Sequence, residues 1–397
     1  MSGRAFLQIP GPTNVPEQVL RAMDRPVIDH RGPEFGALVR GLLPDVAKVF
    51  KTERGRVVLY PASGTGAWEA ALVNTLSPGD RILSFEIGHF SSLFANTARN
   101  LGFVVDEVPL DWRQGVPADL VEQKLRADTT GAYKAVLVVH NETSTGVTSN
   151  VQAVRQAMDA AGHDALLIVD TVSSLGSIDF RFDEWRVDVA LTGSQKGLML
   201  PPGMAFLCVN DRAIAAGERG GSPRNFFDWR PILRDNEGGF FPYTPATLLL
   251  FGLRAALDIM LAEGLDNVFA RHRGLADGVR AAVSAWGLEN FAANPAEFSH
   301  SLTAVATPEG IDSGEIIKRS QARYDLALGV GLSKVRGRLF RIGHLGALNE
   351  LEVLGTLGGV EMVLNDCGVP VEPGAGVAAA QRTFMSSHAR AAVPVPA

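Results

Sequence analysis

The stretch Leu191-Thr-Gly-Ser-Gln-Lys-Gly197 decides the fold, because a single lysine there leaves an apolar run and enters a glycine turn. Residues 187–191 are predicted to form a buried strand, and the prolines after the turn lead into another strand over residues 205–209. Lys196 is therefore expected at a strand end, where open α/β sheets bind ligands. A shielded amine has a lowered pKa and can form a Schiff base with an aldehyde, whereas an isolated lysine is ordinarily a solvated surface residue.

Short β-branched runs alternate with helical segments around this stretch. Before it, strands are predicted over residues 57–60, 81–85, 104–110, 135–139 and 166–170. The alternation predicts an α/β fold with a mostly parallel, doubly wound sheet covered by helices on both faces.

The order of predicted strands and helices changes after two long helical stretches that end near residue 286. Strands and helices then alternate over residues 302–305, 313–322, 339–342 and 348–364. This pattern predicts a smaller C-terminal α+β domain. We divide the chain into an N-terminal arm (1–16), a large domain (17–265) and a small domain (266–397). The Ala/Gly/Pro-rich end after Pro370 is either partly disordered or a loose final helix.

Composition limits the function classes. With 397 residues, of which 46% are hydrophobic, the chain can bury the cores of two domains. A net charge of -6 without a basic cluster excludes a nucleic-acid partner. Two cysteines, Cys208 and Cys367, support neither a disulfide framework nor a thiolate metal site, so no metal is expected. No apolar segment suits secretion or a membrane span, and we expect a cytoplasmic protein.

The turn Ser63-Gly-Thr-Gly66 lies between a predicted strand and a predicted helix. Its backbone N–H groups and hydroxyls can close on a phosphate at the helix N-terminus. The turn lacks the Lys-Ser/Thr ending of a P-loop and the full G-x-G-x-x-G pattern of a dinucleotide fold. A strand-to-helix turn also needs glycine and caps for structural reasons, so both interpretations stay open.

Two further strands end in polar residues that are expected at the same sheet edge as Lys196. Asp170 closes an apolar strand and needs a cationic or N–H partner when buried, which a protonated pyridine nitrogen or a helix N-terminus can supply. Thr143 follows the strand before it and can hydrogen-bond a phenolic oxygen, while His140 and Glu142 satisfy loop backbone groups.

Phe90 and Arg341 complete the set of candidate residues. Phe90 heads a predicted helix and either stacks on an aromatic ring or belongs to the core. Arg341 interrupts an apolar strand pattern, and its planar fork suits either a substrate carboxylate or an internal salt bridge.

Taken together and in this order, the motifs resemble those of the class V aminotransferases. The resemblance is greatest to the alanine/serine/aspartate:glyoxylate aminotransferase family of fold-type I enzymes that use pyridoxal 5'-phosphate. It covers most of the chain and rests on the segments Pro10-Gly-Pro-Thr-Asn14, His30-Arg-Gly-Pro-Glu-Phe35, Ser63-Gly-Thr-Gly66, Thr143-Ser-Thr-Gly146, Val169-Asp-Thr-Val-Ser-Ser174, Gly193-Ser-Gln-Lys-Gly197, Pro201-Pro-Gly203 and Arg341-Ile-Gly343.

The resemblance implies a seven-stranded large domain and a set of site residues. Lys196 would anchor the cofactor covalently, Asp170 would pair with the pyridine nitrogen, Phe90 would stack on the ring, and Arg341 would hold the substrate carboxylate. The phosphate would be bound by Ser63, Gly64, Thr65 and Gln195. Either Tyr243 or Thr244 would reach the phosphate of the neighbouring subunit, which implies a homodimer.

The implied activity is ping-pong transfer of an amino group from serine, aspartate or alanine to glyoxylate, with glycine as product. Aspartate would need a second cation, for which Arg31 and His344 are candidates. One alternative within the fold is a cysteine desulfurase, which needs a cysteine nucleophile on a mobile loop. A nucleotide-binding module that uses only the Ser63 turn would leave Lys196 and Asp170 unexplained.

Overall fold

The computed structural model describes residues 5–219 and 221–390. The start of the predicted arm, residues 1–4, and the end of the tail, residues 391–397, lie outside the described residues, as does Gly220.

The described residues form fourteen strands and thirteen α-helices. The strands are β1 Phe6–Gln8, β2 Arg56–Tyr60, β3 Arg81–Glu86, β4 Val104–Pro109, β5 Tyr133–Val139, β6 Asn141–Glu142, β7 Val147–Thr148, β8 Leu166–Asp170, β9 Val189–Gly193, β10 Ala205–Val209, β11 Glu289–Asn290, β12 Leu302–Ala306, β13 Leu326–Val330 and β14 Leu339–Gly343. The helices are α1 Glu17–Met23, α2 Pro33–Val49, α3 Gly64–Thr75, α4 His89–Asn100, α5 Ala118–Ala127, α6 Val151–Ala160, α7 Asp211–Arg219, α8 Trp229–Asn236, α9 Thr247–Glu263, α10 Leu265–Ala285, α11 Ser313–Tyr324, α12 Glu350–Asp366 and α13 Ala375–Arg390.

The large sheet has seven strands in the order β2-β10-β9-β8-β5-β3-β4. Its pairings are parallel except those of β10, which runs antiparallel to β2 and β9. The prediction of a mostly parallel seven-stranded sheet is therefore confirmed. Along β8, Leu167 and Val169 face one hydrophobic core while Leu166 and Ile168 face the other. The strand is buried on both faces because helices cover both, as its unbroken apolar sequence predicts.

A second sheet has the order β1-β13-β14-β12-β11. Strand β1 pairs in parallel with β13, with Phe6 opposite Leu326, so the N-terminal segment joins the smaller sheet. The Ala/Gly/Pro-rich tail forms helix α13, which packs on α10. Of the two alternatives for the tail, the helix is thus observed up to Arg390. The domain boundary at residues 265/266 stays a prediction.

The sheet order brings the chemistry-bearing strand ends together. Strands β5, β8 and β9 are neighbours and run parallel, so their carboxyl ends lie at one edge. Residues 140–143 follow β5, Asp170 ends β8, and the turn with Lys196 follows β9. The convergence expected from the sequence follows from this order.

Two absences hold for the described residues. None of their helices combines the length and the apolar character that crossing a membrane requires. No three or more of their His, Cys, Asp and Glu side chains are grouped as a metal site requires.

Candidate active site

A cavity of about 240 Å³ lies at the carboxyl ends of these strands. Eight of the predicted site residues line it, together with five residues that were not predicted. The predicted eight are Ser63, Gly64, Thr65, Phe90, Thr143, Asp170, Gln195 and Lys196, and the others are Gly11, Trp68, Val139, Asn141 and Val172.

The amine of Lys196 is buried and donates a hydrogen bond to the carbonyl oxygen of Pro10. Burial lowers the pKa of this amine to about 8; the charge of Arg341 lowers it further and that of Asp170 opposes the shift. The neighbouring Gly11 has φ +100°, and any side chain there would overlap Lys196. The N-terminal segment can therefore lie against the lysine only because residue 11 is glycine.

Asp170 is the buried acid of the site. Trp68 Nε1 donates to Asp170 Oδ2 at 2.7 Å, and the backbone N–H of Val172 donates to Oδ1 at 2.7 Å. Burial outweighs these donors and raises the pKa of Asp170 to about 6. The helix-capping alternative is not observed, because the residues that follow Asp170 form turns and no helix begins there.

The Ser63 turn begins α3. Ser63 is the N-cap residue, yet its side chain makes no capping hydrogen bond to the helix. Gln195 lines the same cavity, and its buried Oε1 has no hydrogen-bond partner among the described residues. The backbone N–H groups at the helix N-terminus suit an anionic ligand, whereas Gln195 can donate to an anion only through its amide nitrogen.

Glu142 holds the backbone at Phe90, a role that the sequence predicted only in part. The carboxylate of Glu142 accepts the backbone N–H groups of Phe90 at 3.1 Å and of Ser91 at 2.9 Å. It also accepts the backbone N–H of Ser144 at 3.0 Å. Glu142 does satisfy backbone groups, as expected, but most belong to the start of α4. It thereby fixes the helix that presents Phe90 to the cavity.

Thr143 and Asn141 meet through a shared serine. Thr143 Oγ1 donates to Ser173 Oγ at 2.7 Å, and Asn141 Nδ2 donates to the same oxygen at 2.7 Å. The Thr143 hydroxyl is thus committed to Ser173 in this structure. Asn141 lies two residues before Thr143, at the same β5 end, and that spacing is the signal by which it could have been found.

Arg341 lies beside the cavity without lining it. Its Nη1 donates to the carbonyl oxygen of Thr143 at 2.8 Å and its Nε to that of Val330 at 2.9 Å. Burial lowers the pKa of the guanidinium to about 10, and the Glu142 carboxylate opposes that shift. Within the described residues no carboxylate forms an ion pair with Arg341, so the salt-bridge alternative is not observed.

Tyr243 and Thr244 do not line the cavity of their own chain. The Tyr243 hydroxyl donates to the carbonyl oxygen of Leu59 at 3.4 Å, and its ring stacks on Phe226 with centroids 4.8 Å apart. Thr244 is exposed. Any role in phosphate binding would have to be exerted on another copy of the chain.

The candidates for a second cation and for a thiol nucleophile are not in the cavity either. His344 is fully buried and hydrogen-bonded to Thr303, and burial holds its pKa well below the ordinary value, so it is neutral. Arg31 is exposed on its loop. Cys208 is buried within β10 and Cys367 follows α12, and neither lines the cavity. The geometry therefore lacks the nucleophile that a cysteine desulfurase needs.

Pyridoxal 5'-phosphate fits this arrangement on three observations. The buried amine of Lys196 has a lowered pKa, as a carbonyl-binding lysine requires. A buried acid lies where a protonated ring nitrogen would stabilise its charge. The uncapped α3 N-terminus at the same cavity suits the phosphate.

Comparison with known proteins agrees with the site. The family described as Aminotransferase class-V matches residues 5–333. Serine--glyoxylate aminotransferase of Arabidopsis thaliana is 51% identical over 97% of this chain and 96% of its own length. L-aspartate--glyoxylate aminotransferase of Paracoccus denitrificans is 49% identical over 98% of this chain and 99% of its own. The crystal structure of ureidoglycine-glyoxylate aminotransferase from Bacillus subtilis superposes with a TM-score of 0.89 at 27% identity, covering 97% and 99% of the two chains.

The sequence match spans most of the chain, and the structural match extends over both sheets. The fold is therefore that of the fold-type I enzymes, the cofactor is pyridoxal 5'-phosphate, and the enzyme is a transaminase. The chain belongs to the class-V aminotransferase family.

Proposed function

We propose that this enzyme transfers the amino group of a small L-amino acid, either serine, aspartate or alanine, to glyoxylate by a ping-pong mechanism. One observation carries the proposal: Lys196, Asp170 and the Ser63 turn line a single small cavity, with the buried Arg341 beside it. The relatives named serine--glyoxylate aminotransferase and L-aspartate--glyoxylate aminotransferase support the choice of substrates.

In this proposal the eight predicted residues that line the cavity bind the cofactor. Ser63, Gly64, Thr65 and Gln195 hold the phosphate, Asp170 keeps the pyridine nitrogen protonated, and Phe90 lies against the ring. Thr143 would donate to the phenolic oxygen once its hydroxyl turns from Ser173. Lys196 is the covalent anchor. The bound cofactor supplies an aldehyde that takes up amino groups and a ring that withdraws electrons.

The chain's own residues then orient the substrate and move its proton. Arg341 binds the α-carboxylate that amino acids and glyoxylate share, which places the α-carbon toward Lys196. An amine with a pKa of about 8 is readily both protonated and deprotonated near neutral pH, so Lys196 can accept the α-proton and return it. The N-terminal segment at Pro10 and Gly11 limits the access of water to this amine.

The proposal includes a homodimer in a reducing compartment, the cytoplasm. Phe226 is 44% exposed and stacks on Tyr243, next to the exposed Thr244, so this edge offers an aromatic surface to a second copy. Tyr243 or Thr244 then reaches the partner's phosphate. Cys208 and Cys367 are both free thiols, which suits a reducing compartment.

A panel of amino donors with glyoxylate tests the activity. The protein loaded with pyridoxal 5'-phosphate should form glycine and the matching 2-oxo acid from serine, aspartate or alanine, measured by chromatography of both products. Lys196→Ala should remove both turnover and the visible absorbance of the anchored cofactor, since it removes the anchor and the base together. Full activity of Lys196→Ala, or no glycine from any of the three donors, would refute the proposal.

A further inference from the structure

The connection between β13 and β14, residues 331–338, contacts the rest of the molecule beside the cavity. Ser333 Oγ lies 2.7 Å from His89 Nδ1. Lys334 forms an ion pair with Glu86, and its amine lies 5.2 Å from the centroid of the Trp112 ring. Trp112 Nε1 donates to the same Glu86 carboxylate at 3.0 Å. The connection is thus held at two adjacent points to the end of β3 and the start of α4.

Arg341 bridges the same two parts of the molecule. Its Nε donates to Val330, the last residue before the connection, and its Nη1 donates to Thr143. The backbone N–H of His89 in turn donates to Ser144 Oγ at 2.9 Å, one residue beyond Thr143. The guanidinium therefore contacts the loop after β5 directly, at Thr143. The connection contacts the same loop indirectly, because His89 bonds both Ser333 and Ser144. A displacement of the connection would carry Val330, and with it one anchor of the guanidinium.

The backbone conformation of Ser333 is unfavourable, and its hydrogen bond to His89 helps to hold it. Its φ is +48°, in the left-handed region that non-glycine residues rarely adopt. Such a conformation persists only where the surroundings over-determine it. The hydrogen bond to His89 and the ion pair of the next residue, Lys334, hold Ser333 in this conformation. The rings of His89 and Phe90 make an edge contact, with centroids 5.2 Å apart.

We propose that His89, Ser333 and Lys334 are positioning residues for the substrate carboxylate. By docking the β13–β14 connection on α4, they fix where the Arg341 guanidinium lies relative to the cavity. The inference rests on the proposed carboxylate role of Arg341. It predicts that the three residues affect binding of every substrate that carries a carboxylate, and do so only through Arg341.

The test uses 3-hydroxypropanoate, which is serine without its amino group and so cannot react. Its dissociation constant for the cofactor-loaded protein is measured by calorimetry. His89→Leu should raise this constant about five- to tenfold, the effect of one ordinary hydrogen bond. His89→Asn, which keeps a polar group near the position of Nδ1, should restore most of the affinity. His163→Leu is the control, because the His163 side chain also makes hydrogen bonds, to Asp128 and to the backbone N–H of Ala165, and does not line the cavity.

A double-mutant cycle separates positioning from general loosening of the fold. In an Arg341→Lys background, His89→Leu should cause no further loss of 3-hydroxypropanoate affinity, because the element through which it acts is already altered. Lys334→Met should act in the same direction but more weakly, since the ion pair is exposed; Lys318→Met, on α11, is its control. Additive losses in the Arg341→Lys background, or equal losses in the controls, would overturn the inference.

The outcome is distinguishable from a failure of the proposed function. If glycine does not form from glyoxylate but 3-hydroxypropanoate binds with the predicted pattern, the proposed activity is refuted while the carboxylate role of Arg341 and this inference stand. A wild-type protein that does not bind 3-hydroxypropanoate would contradict the role of Arg341 and this inference with it.

Discussion

Lys196 is kept in a position that costs stability when no cofactor is attached. An ammonium ion loses its hydration on burial, and the pKa of about 8 records that loss against the ordinary 10.5. Burial of the Asp170 carboxylate is also unfavourable for its charged form, and it raises the pKa of this group to about 6. Both charged groups would be more stable in water than in the site. Such a cost is common where binding or catalysis is selected over stability.

Replacing Lys196 by Met should therefore stabilise the cofactor-free protein. The unfolded chain keeps its proton up to a pKa near 10.5 while the folded chain releases it near 8, so the penalty is fully present below pH 8 and disappears as the pH rises to 10.5. We expect Lys196→Met to raise the free energy of unfolding at pH 7 by about 1–3 kcal/mol.

Urea unfolding of the cofactor-free protein at pH 7, 9 and 10.5 checks this. The advantage of Lys196→Met over wild type should shrink steadily across the series. Lys48→Met serves as the control, because Lys48 is exposed on α2 and should show no such trend. A less stable Lys196→Met protein at pH 7 would mean that the hydrogen bond to Pro10 outweighs the buried charge.

At the scale of the element, the start of α4 depends on a close approach between Gly88 and Glu142. A methyl group on Gly88 would overlap the Glu142 side chain. Gly88→Ala should therefore displace the carboxylate that binds the α4 backbone, lowering the free energy of unfolding by about 1–3 kcal/mol. It should also weaken cofactor binding, because Phe90 moves with the helix.

Both effects are measurable by thermal unfolding and by titration with pyridoxal 5'-phosphate. The matched control is Gly41→Ala in α2, where nothing lies within 4 Å of the added methyl group. That substitution should raise stability by about 0.5–1 kcal/mol through helix propensity and leave cofactor affinity unchanged. Equal behaviour of the two variants would show that α4 does not need the contact.

The sequence predicted the strands that alternate regularly with helices and missed strands β1 and β13, which lie outside that alternation. Six strands of the large sheet were predictable as runs dominated by apolar residues, and the edge strand β4, which carries Asp106 and Glu107, from its place in the alternation with helices. Strand β13 was missed: it follows a left-handed Asp325 and carries a glycine at position 329, so its apolar pattern is broken. The three-residue β1 exists only through its pairing with β13, which no local pattern encodes.

The candidate site divides in the same way. Lys196, Asp170 and the Ser63 turn were predictable because each follows a strong strand. Trp68 was not, since an indole on an apolar helix face is indistinguishable in sequence from core until its donor is seen beside Asp170. Gly11 touches Lys196 only after the chain has folded back across the molecule. Long-range contacts of this kind leave no periodic signal.

For the whole molecule, the proposed dimer predicts a specific pattern of complementation. If Tyr243 or Thr244 serves the partner's cavity, then Lys196→Ala and the double variant Tyr243→Phe/Thr244→Val damage the same cavity from different subunits. A mixed dimer of the two would contain one intact cavity and one doubly damaged cavity. Mixing the inactive Lys196→Ala protein with the weakened double variant under subunit exchange should therefore restore activity at limiting cofactor.

The control mixes Lys196→Ala with Arg341→Ala. Lys196 and Arg341 serve a cavity of the same chain, so every cavity of that mixed dimer stays damaged and no activity should return. Turnover assays after exchange, with sedimentation to verify dimers, decide the matter. Recovery in both mixtures, or in neither, would contradict the proposed subunit crossing.

Strand β1 also has a consequence for how the enzyme is made. Gln8 Nε2 donates to the carbonyl oxygen of Gly343, a contact that spans 335 residues, and Phe6 pairs with Leu326. Residues 6–8 thus have no place to dock until β13 and β14, far later in the chain, have been translated. Because Pro10 and Gly11 follow β1 directly and contact Lys196, this cover over the lysine can form only after β13 and β14 have been made.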